Sequence, residues 1–280
     1  KLFNQKIQGI YFWETVRFAV FNNLSRQLVD IGQAHTKRNS WQDKLVAVAG
    51  LIINSITKNP FHGKYKVDFL LFDHPRKINV DGKEIDIYTY EFIEANKHRK
   101  FDIIEAPYLW RHKTSNVRLN RKYSDNEILQ RNLKKNVNPL KIDNNERTRI
   151  IQLENKIIKK FGNVKVNLLN ITLKTLNNFY YKVNYYKRLF IKRKPKSIYV
   201  VVSYTNIPII AAAKGLGIKV IEFQHGVISD YHFAYNFGEP TKQLQYFPDK
   251  LLTFGEYWGK TKGFPKQTEI EVYGFPYLNR

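Results

Sequence analysis

The chain contains no cysteine, which excludes disulfides and thiolate metal sites and fits a reducing compartment. Methionine is absent as well, position 1 included, so the chain is expected to begin inside a longer gene product. No apolar run reaches the ~18 residues of a transmembrane helix, and no signal peptide can be read at the N-terminus. Acidic residues are scarce beside basic ones: 24 Asp and Glu face 47 Lys and Arg, a formal charge of +23. That surplus favours polyanionic partners (nucleic acid, anionic lipid or sugar nucleotide) without choosing among them. Familiar chemical signatures are missing too. There is no GxGxxG after a strand, no GxxxxGK(S/T), no HExxH and no GxSxG, which argues against P-loop hydrolases, zincins and serine hydrolases. Asp81 and Asp86 lack the spacing of a DxD metal pair, and no metal or other cofactor is expected.

What is present is globular: 43% of the 280 residues are hydrophobic and 15% aromatic, enough to bury a sizeable core. The first 58 residues read as helices. Ile10, Phe12, Trp13, Val16, Phe18, Val20, Phe21 and Leu24 form one apolar face, read as core or interface packing ahead of a resting place on lipid. Ser40 is the expected N-cap of a helix running to Thr57. Residues 67–72 read as a buried strand that ends in Asp73-His74-Pro75-Arg76, and 101–104 as a second. Between them Asp81-Gly82 turns a hairpin-like excursion. Residues 110–160 are polar and are expected to be an exposed, mobile connection with helical parts; 150–190 read as helical. Then come a strand at 197–203, a helix at 207–214 and a strand at 219–223, a βαβ spacing that implies a right-handed crossover onto a parallel sheet. Further strands are expected at 250–254 and 270–273, with Trp258 on a helix between them. The fold class is therefore α/β: a Rossmann-like parallel sheet flanked by helices over residues 63–273, with residues 1–62 as helices packed on it.

Ligands of open parallel sheets bind beyond the carboxyl ends of the strands. Three expected strand ends carry polar groups: Asp73-His74-Pro75-Arg76, Ser203-Tyr204-Thr205-Asn206 and Gln224-His225-Gly226. His225 is the candidate catalytic residue, because an imidazole titrating near ~6.5 can take a proton from a hydroxyl or bind a phosphate. Gly226 allows close backbone approach. Gln224, Tyr204, Asn206, His74, Arg76 and His232 are candidate substrate-binding residues. For each the bland alternative is an ordinary loop residue. Glu222, inside the strand, reads as a buried carboxylate behind the site or the partner of a basic residue.

The segment IEFQHGVISDYHFAY at 221–235, Phe247-Pro248-Asp249 and Phe254-Gly255-Glu256-Tyr257-Trp258 together resemble bacterial capsule and surface-polysaccharide glycosyltransferases of the GT-B type. FLLFDHPRKINVDGKEIDIY, SYTNIPIIAAAKGLGIKVIEFQHG and IQGIYFWETVRF fit the same resemblance, which is weakest over 110–186. It implies two Rossmann-like domains facing across a cleft, the first holding the acceptor and the second the sugar nucleotide. Poly(glycerol phosphate) polymerases have a similar histidine-glycine pair, usually preceded by Trp. Gln224 stands there in this chain, which favours sugar transfer over a CDP-glycerol donor. Residues 271–277 (EVYGFPY) resemble the crossover to the second domain, so 274–280 are expected to begin it and the donor domain to lie downstream. The resemblance further implies a nucleotide-sugar co-substrate, a glycan or lipid-linked glycan acceptor, an anionic membrane surface as partner, and work at the inner face of the cytoplasmic membrane. This chain alone is then expected to be inactive. Two other readings stand beside it: a single-stranded nucleic-acid binder using the Tyr- and Lys-rich run at 180–196, ranked lower, and a sugar-nucleotide epimerase on the same fold.

Overall fold

The computed structural model describes residues 2–29, 41–63, 66–109, 111–112, 121–162, 164–238, 244–261 and 263–279, with the side chains of 42–44 left aside. The expected Ser40 cap lies outside the described residues.

A two-residue hairpin, β1 (Lys6–Ile7) and β2 (Ile10–Tyr11), leads into α1 (Phe12–Leu28), followed by α2 (Trp41–Thr57). Next come β3 (Phe69–Phe72), the hairpin β4 (Ile78–Val80) and β5 (Lys83–Ile85), α3 (Tyr90–Ala95), β6 (Phe101–Glu105) and β7 (Arg121–Tyr123). Three helices follow, α4 (Asp125–Val137), α5 (Asn144–Phe161) and α6 (Leu168–Arg193). The chain then runs through β8 (Ser197–Val201), α7 (Ile207–Lys214), β9 (Lys219–Phe223), β10 (Lys250–Thr253) and β11 (Glu269–Val272).

Seven strands form one parallel sheet in the order β11-β10-β9-β8-β3-β6-β7. From β3 the chain builds outward through β6 and β7 on one side, then returns to add β8, β9, β10 and β11 on the other. This is the doubly wound Rossmann order with an added edge strand, and its switch point lies between β3 and β8. The central strands are apolar on both faces, as parallel strands covered on both sides must be. Strand alternation divides them. Leu70, Phe72, Ile198, Val200 and Val220 pack against α6 and α7, whereas Phe69, Leu71, Val201, Ile221 and Phe223 pack with Ile93 and Phe92 of α3.

The Asp81-Gly82 turn is as expected: both residues have positive φ, 50° and 74°, and join β4 to β5 in register. The reading of 110–160 as an exposed stretch with helical parts holds for α4 and α5, most of whose residues are exposed or half-exposed, but it missed a strand. Trp110 and residues 113–120 lie outside the described residues, but 121–123 supply strand β7 and 125–161 form two regular helices. Ser124, Asp125 and Glu127 are buried. The groups that anchor its start are charged: Arg121 reaches Asp73 at 2.7 Å and Glu105 at 3.0 Å, and Lys77 reaches Asp73 at 2.7 Å. His112 lies between Glu105 (2.9 Å) and Asp125 (2.7 Å), stacked on Tyr123. The helical run at 150–190 is likewise two helices, broken at Gly162, where φ is +73°.

Candidate active site

Strand β9 carries Glu222 inside the sheet and delivers Gln224-His225-Gly226 just past its end. Gln224 is 1% exposed, and its amide is occupied within the protein. Its Nε2 donates to the Gly226 carbonyl at 2.7 Å, and its Oε1 accepts from the Phe254 amide at 2.8 Å. Gln224 is therefore a clamp that fixes the turn and couples it to the end of β10. This corrects its assignment as a substrate contact. At Gly226 an added Cβ would meet open space.

His225 is half-buried among aromatic rings. Its Nε2 lies 3.1 Å from the Tyr204 hydroxyl, and its Nδ1 lies 3.5 Å from the Tyr235 hydroxyl. Tyr235 donates at 2.6 Å to Oε1 of Glu222, which also accepts the Ser203 amide at 2.7 Å. Glu222 is thus the buried strand carboxylate of the first reading, and its partners are a tyrosine and a backbone amide instead of a base. Burial pushes this carboxyl up to about 7, against the two hydrogen bonds that favour its charge. Burial also pulls the His225 imidazole down to about 4, reinforced by His74 and His232. The imidazole is neutral at pH 7.

The chain beyond β8 is bent to make these contacts. Val202 has φ +65° and ψ 72°, a left-handed conformation that a β-branched residue adopts at a cost of roughly 1–3 kcal/mol. It turns Ser203 and Tyr204 back toward β9. The Tyr204 ring stacks on Phe18 of α1 at 4.6 Å. Helix α1 also ties down the loop that carries Tyr235: buried Glu14 accepts the Gln245 and Tyr246 amides at 3.0 and 2.8 Å, and Arg17 donates to the Asn236 carbonyl at 2.8 Å. Phe18 and Arg17 thus belong to the site's scaffold.

The other candidates divide. His232 joins the cluster, its ring 5.7 Å from Tyr204 and 5.0 Å from Tyr235, with Nδ1 accepting the Ala234 amide at 3.3 Å. His74 approaches from β3 with the Tyr88 ring between it and His225, at centroid distances of 5.5 and 6.4 Å. Arg76 is exposed and leans over Tyr108 at 5.8 Å. Asn206 turns its amide nitrogen back to the Val201 and Val202 carbonyls at 2.7 and 3.1 Å. That nitrogen holds the strained turn and is not available to an acceptor. Tyr235 and Tyr88 were missed from sequence. Tyr235, 13 residues beyond Glu222, gave no signal beyond an aromatic in a polar loop.

Comparison with protein-family models, curated proteins and solved structures finds no match. Among the described residues no group of three or more His, Asp or Glu is arranged to hold a metal ion, and no helix is long and apolar enough to cross a membrane. In the Tyr-rich run of α6, Tyr185 and Tyr186 are core residues, whereas Tyr180 is exposed and Tyr181 half-exposed.

Proposed function

We propose that the chain is the acceptor-side half of a GT-B glycosyltransferase that moves a sugar from a nucleotide donor to a surface-polysaccharide or lipid-linked glycan. The observation that carries this reading is the Glu222–Tyr235–His225–Tyr204 chain at the carboxyl edge of a Rossmann-like sheet. With Glu222 ionised, the Tyr235 hydroxyl donates to it and turns a lone pair to His225 Nδ1. The imidazole then carries its proton on Nδ1 and presents a free pair on Nε2, the position now facing the Tyr204 hydroxyl. An acceptor hydroxyl taking that place gives its proton to Nε2 as its oxygen bonds to the anomeric carbon. The bond from that carbon to the nucleotide's phosphate oxygen breaks, and the electron pair leaves with the nucleoside phosphate. On this reading the donor lies across the cleft on a second domain.

Two features support work at an anionic membrane surface. The net charge is +23, and α2 leaves Trp41, Leu45, Ile52, Ile53 and Ile56 exposed along one side. In chain order Lys37, Arg38 and Lys44 precede or open this apolar run and Lys58 follows it. Single exposed apolar residues are ordinary, but a contiguous stripe on one helix marks an interaction face.

The decisive experiment follows nucleoside phosphate release by the gene product that carries this chain. Release that requires a glycan acceptor supports the proposal. Interconversion of a free sugar nucleotide would assign the sheet to epimerisation, and a salt-sensitive shift of unrelated oligonucleotides to nucleic-acid binding.

A further inference from the structure

At the switch point, beyond the ends of β3, β6 and β8, opens a cavity of about 360 Å³. Its size and position suit a small ligand, since doubly wound sheets bind where the strand order reverses. Pro75, Ile104, Tyr186 and Ile209 wall it, while His74, Ser124 and Thr205 bring polar groups.

Its lining carries two carboxylates, Asp73 and Glu127, and two side-chain cations, Arg131 and Lys182, which are not all directly paired. Asp73 is matched by Lys77 and Arg121, both at 2.7 Å. Glu127 is matched by Arg131 at 2.7 Å, and Arg131 is further tied to Asn178 at 3.2 Å. Lys182 of α6 is different: its charged neighbours are Glu127 and Arg131, yet it makes no hydrogen bond or ion pair with any described residue. Its side chain is half-buried at the cavity wall, and burial pushes its ammonium below the ordinary lysine range against the pull of Glu127. Lys182 and Arg131 also face an adjoining cavity of about 320 Å³, and Tyr204 forms part of its wall. The Tyr204 hydroxyl in turn bonds His225.

We infer that the switch-point cavity binds the oxyanion of a sugar-sized ligand, a phosphate or a carboxylate, on Lys182 with Arg131 as the second cation. The binding claim is independent of the transferase reading. Joined to that reading, it makes the acceptor an anionic glycan, whose charged group seats beside Lys182 while a hydroxyl lies near His225.

Calorimetric titration of the 280-residue chain tests this with inorganic phosphate, glucose 6-phosphate, glucuronate and uncharged glucose. At least one of the sugar oxyanions is expected to saturate, and glucose is not. Lys182→Met should weaken that binding about tenfold, the worth of one charge-assisted hydrogen bond. Lys182→Arg should retain it, as should Lys174→Met on an exposed stretch of the same helix. Lys182→Gln provides a second neutral variant, and circular dichroism shows which variants fold. Absence of saturable oxyanion binding overturns the inference, as does equal weakening by Lys174→Met or unchanged binding when Lys182 is neutral. His225→Ala should leave the binding intact, so failure of the cavity and failure of the transferase reading are separately visible.

Discussion

Glu222 and His225 are three residues apart, yet burial moves them in opposite directions, the carboxyl up to about 7 and the imidazole down to about 4. Separated values of this kind assign roles to titrating pairs. Above about 7 the ionised Glu222 orients Tyr235 and fixes the His225 tautomer, so transfer should rise with pH through that value, and Glu222→Gln should remove the limb from the pH–rate profile. Stability follows the same group. Native Glu222 holds a proton between 4.5 and about 7 that the unfolded chain has released, so stability falls as pH rises across that window, by roughly 3 kcal/mol. His225 gives the opposite slope, losing stability as pH falls from 6.5 toward 4. The difference between wild-type and Glu222→Gln melting curves isolates the carboxylate; parallel curves across pH 5–8 would mean that Glu222 is already ionised in the fold. His225 was legible in the sequence because a strand-end rule selects it. Tyr235 was not, because only the path of the loop after β9 brings it to Glu222.

At the scale of elements, β8, α7 and β9 follow the sequence closely, since β-branched runs and Gly215 and Gly217 mark their limits. Strand β7 and helix α4 were obscured, because ion pairs and not apolar side chains anchor them. His112 shows the consequence. Burial alone would lower it, but bonds to Asp125 and Glu105 outweigh this and hold it at about 9. Its contribution to stability is complete below 6.5 and is lost as pH rises through about 9. His112→Gln should cost about 3 kcal/mol at neutral pH, measured by denaturant unfolding, and should flatten the alkaline decline; a cost near zero would mean the pair is dispensable. Helix α2 makes a separate prediction. Ile53→Asp with Ile56→Asp, both at exposed positions, should abolish co-flotation with phosphatidylglycerol vesicles without unfolding the chain, and wild-type binding should be weaker on phosphatidylcholine. Equal flotation of the double variant would remove α2 as the docking face.

For the whole molecule, the sheet order places one switch point between β3 and β8 and gathers the ends of β3, β8 and β9 on one edge. His74, Tyr204 and His225 come from those three ends, and their convergence is a property of topology, which is why alternating strands and helices were enough to anticipate it. The opposed lobe and the donor are inferences from resemblance, and the chemistry at His225 decides them. The most direct test compares wild-type and His225→Ala gene product for acceptor-dependent release of nucleoside phosphate, with circular dichroism as the folding control. Loss of about a hundredfold or more in a folded variant is the predicted result, the size of a missing proton acceptor; near-normal turnover by the folded variant would contradict it.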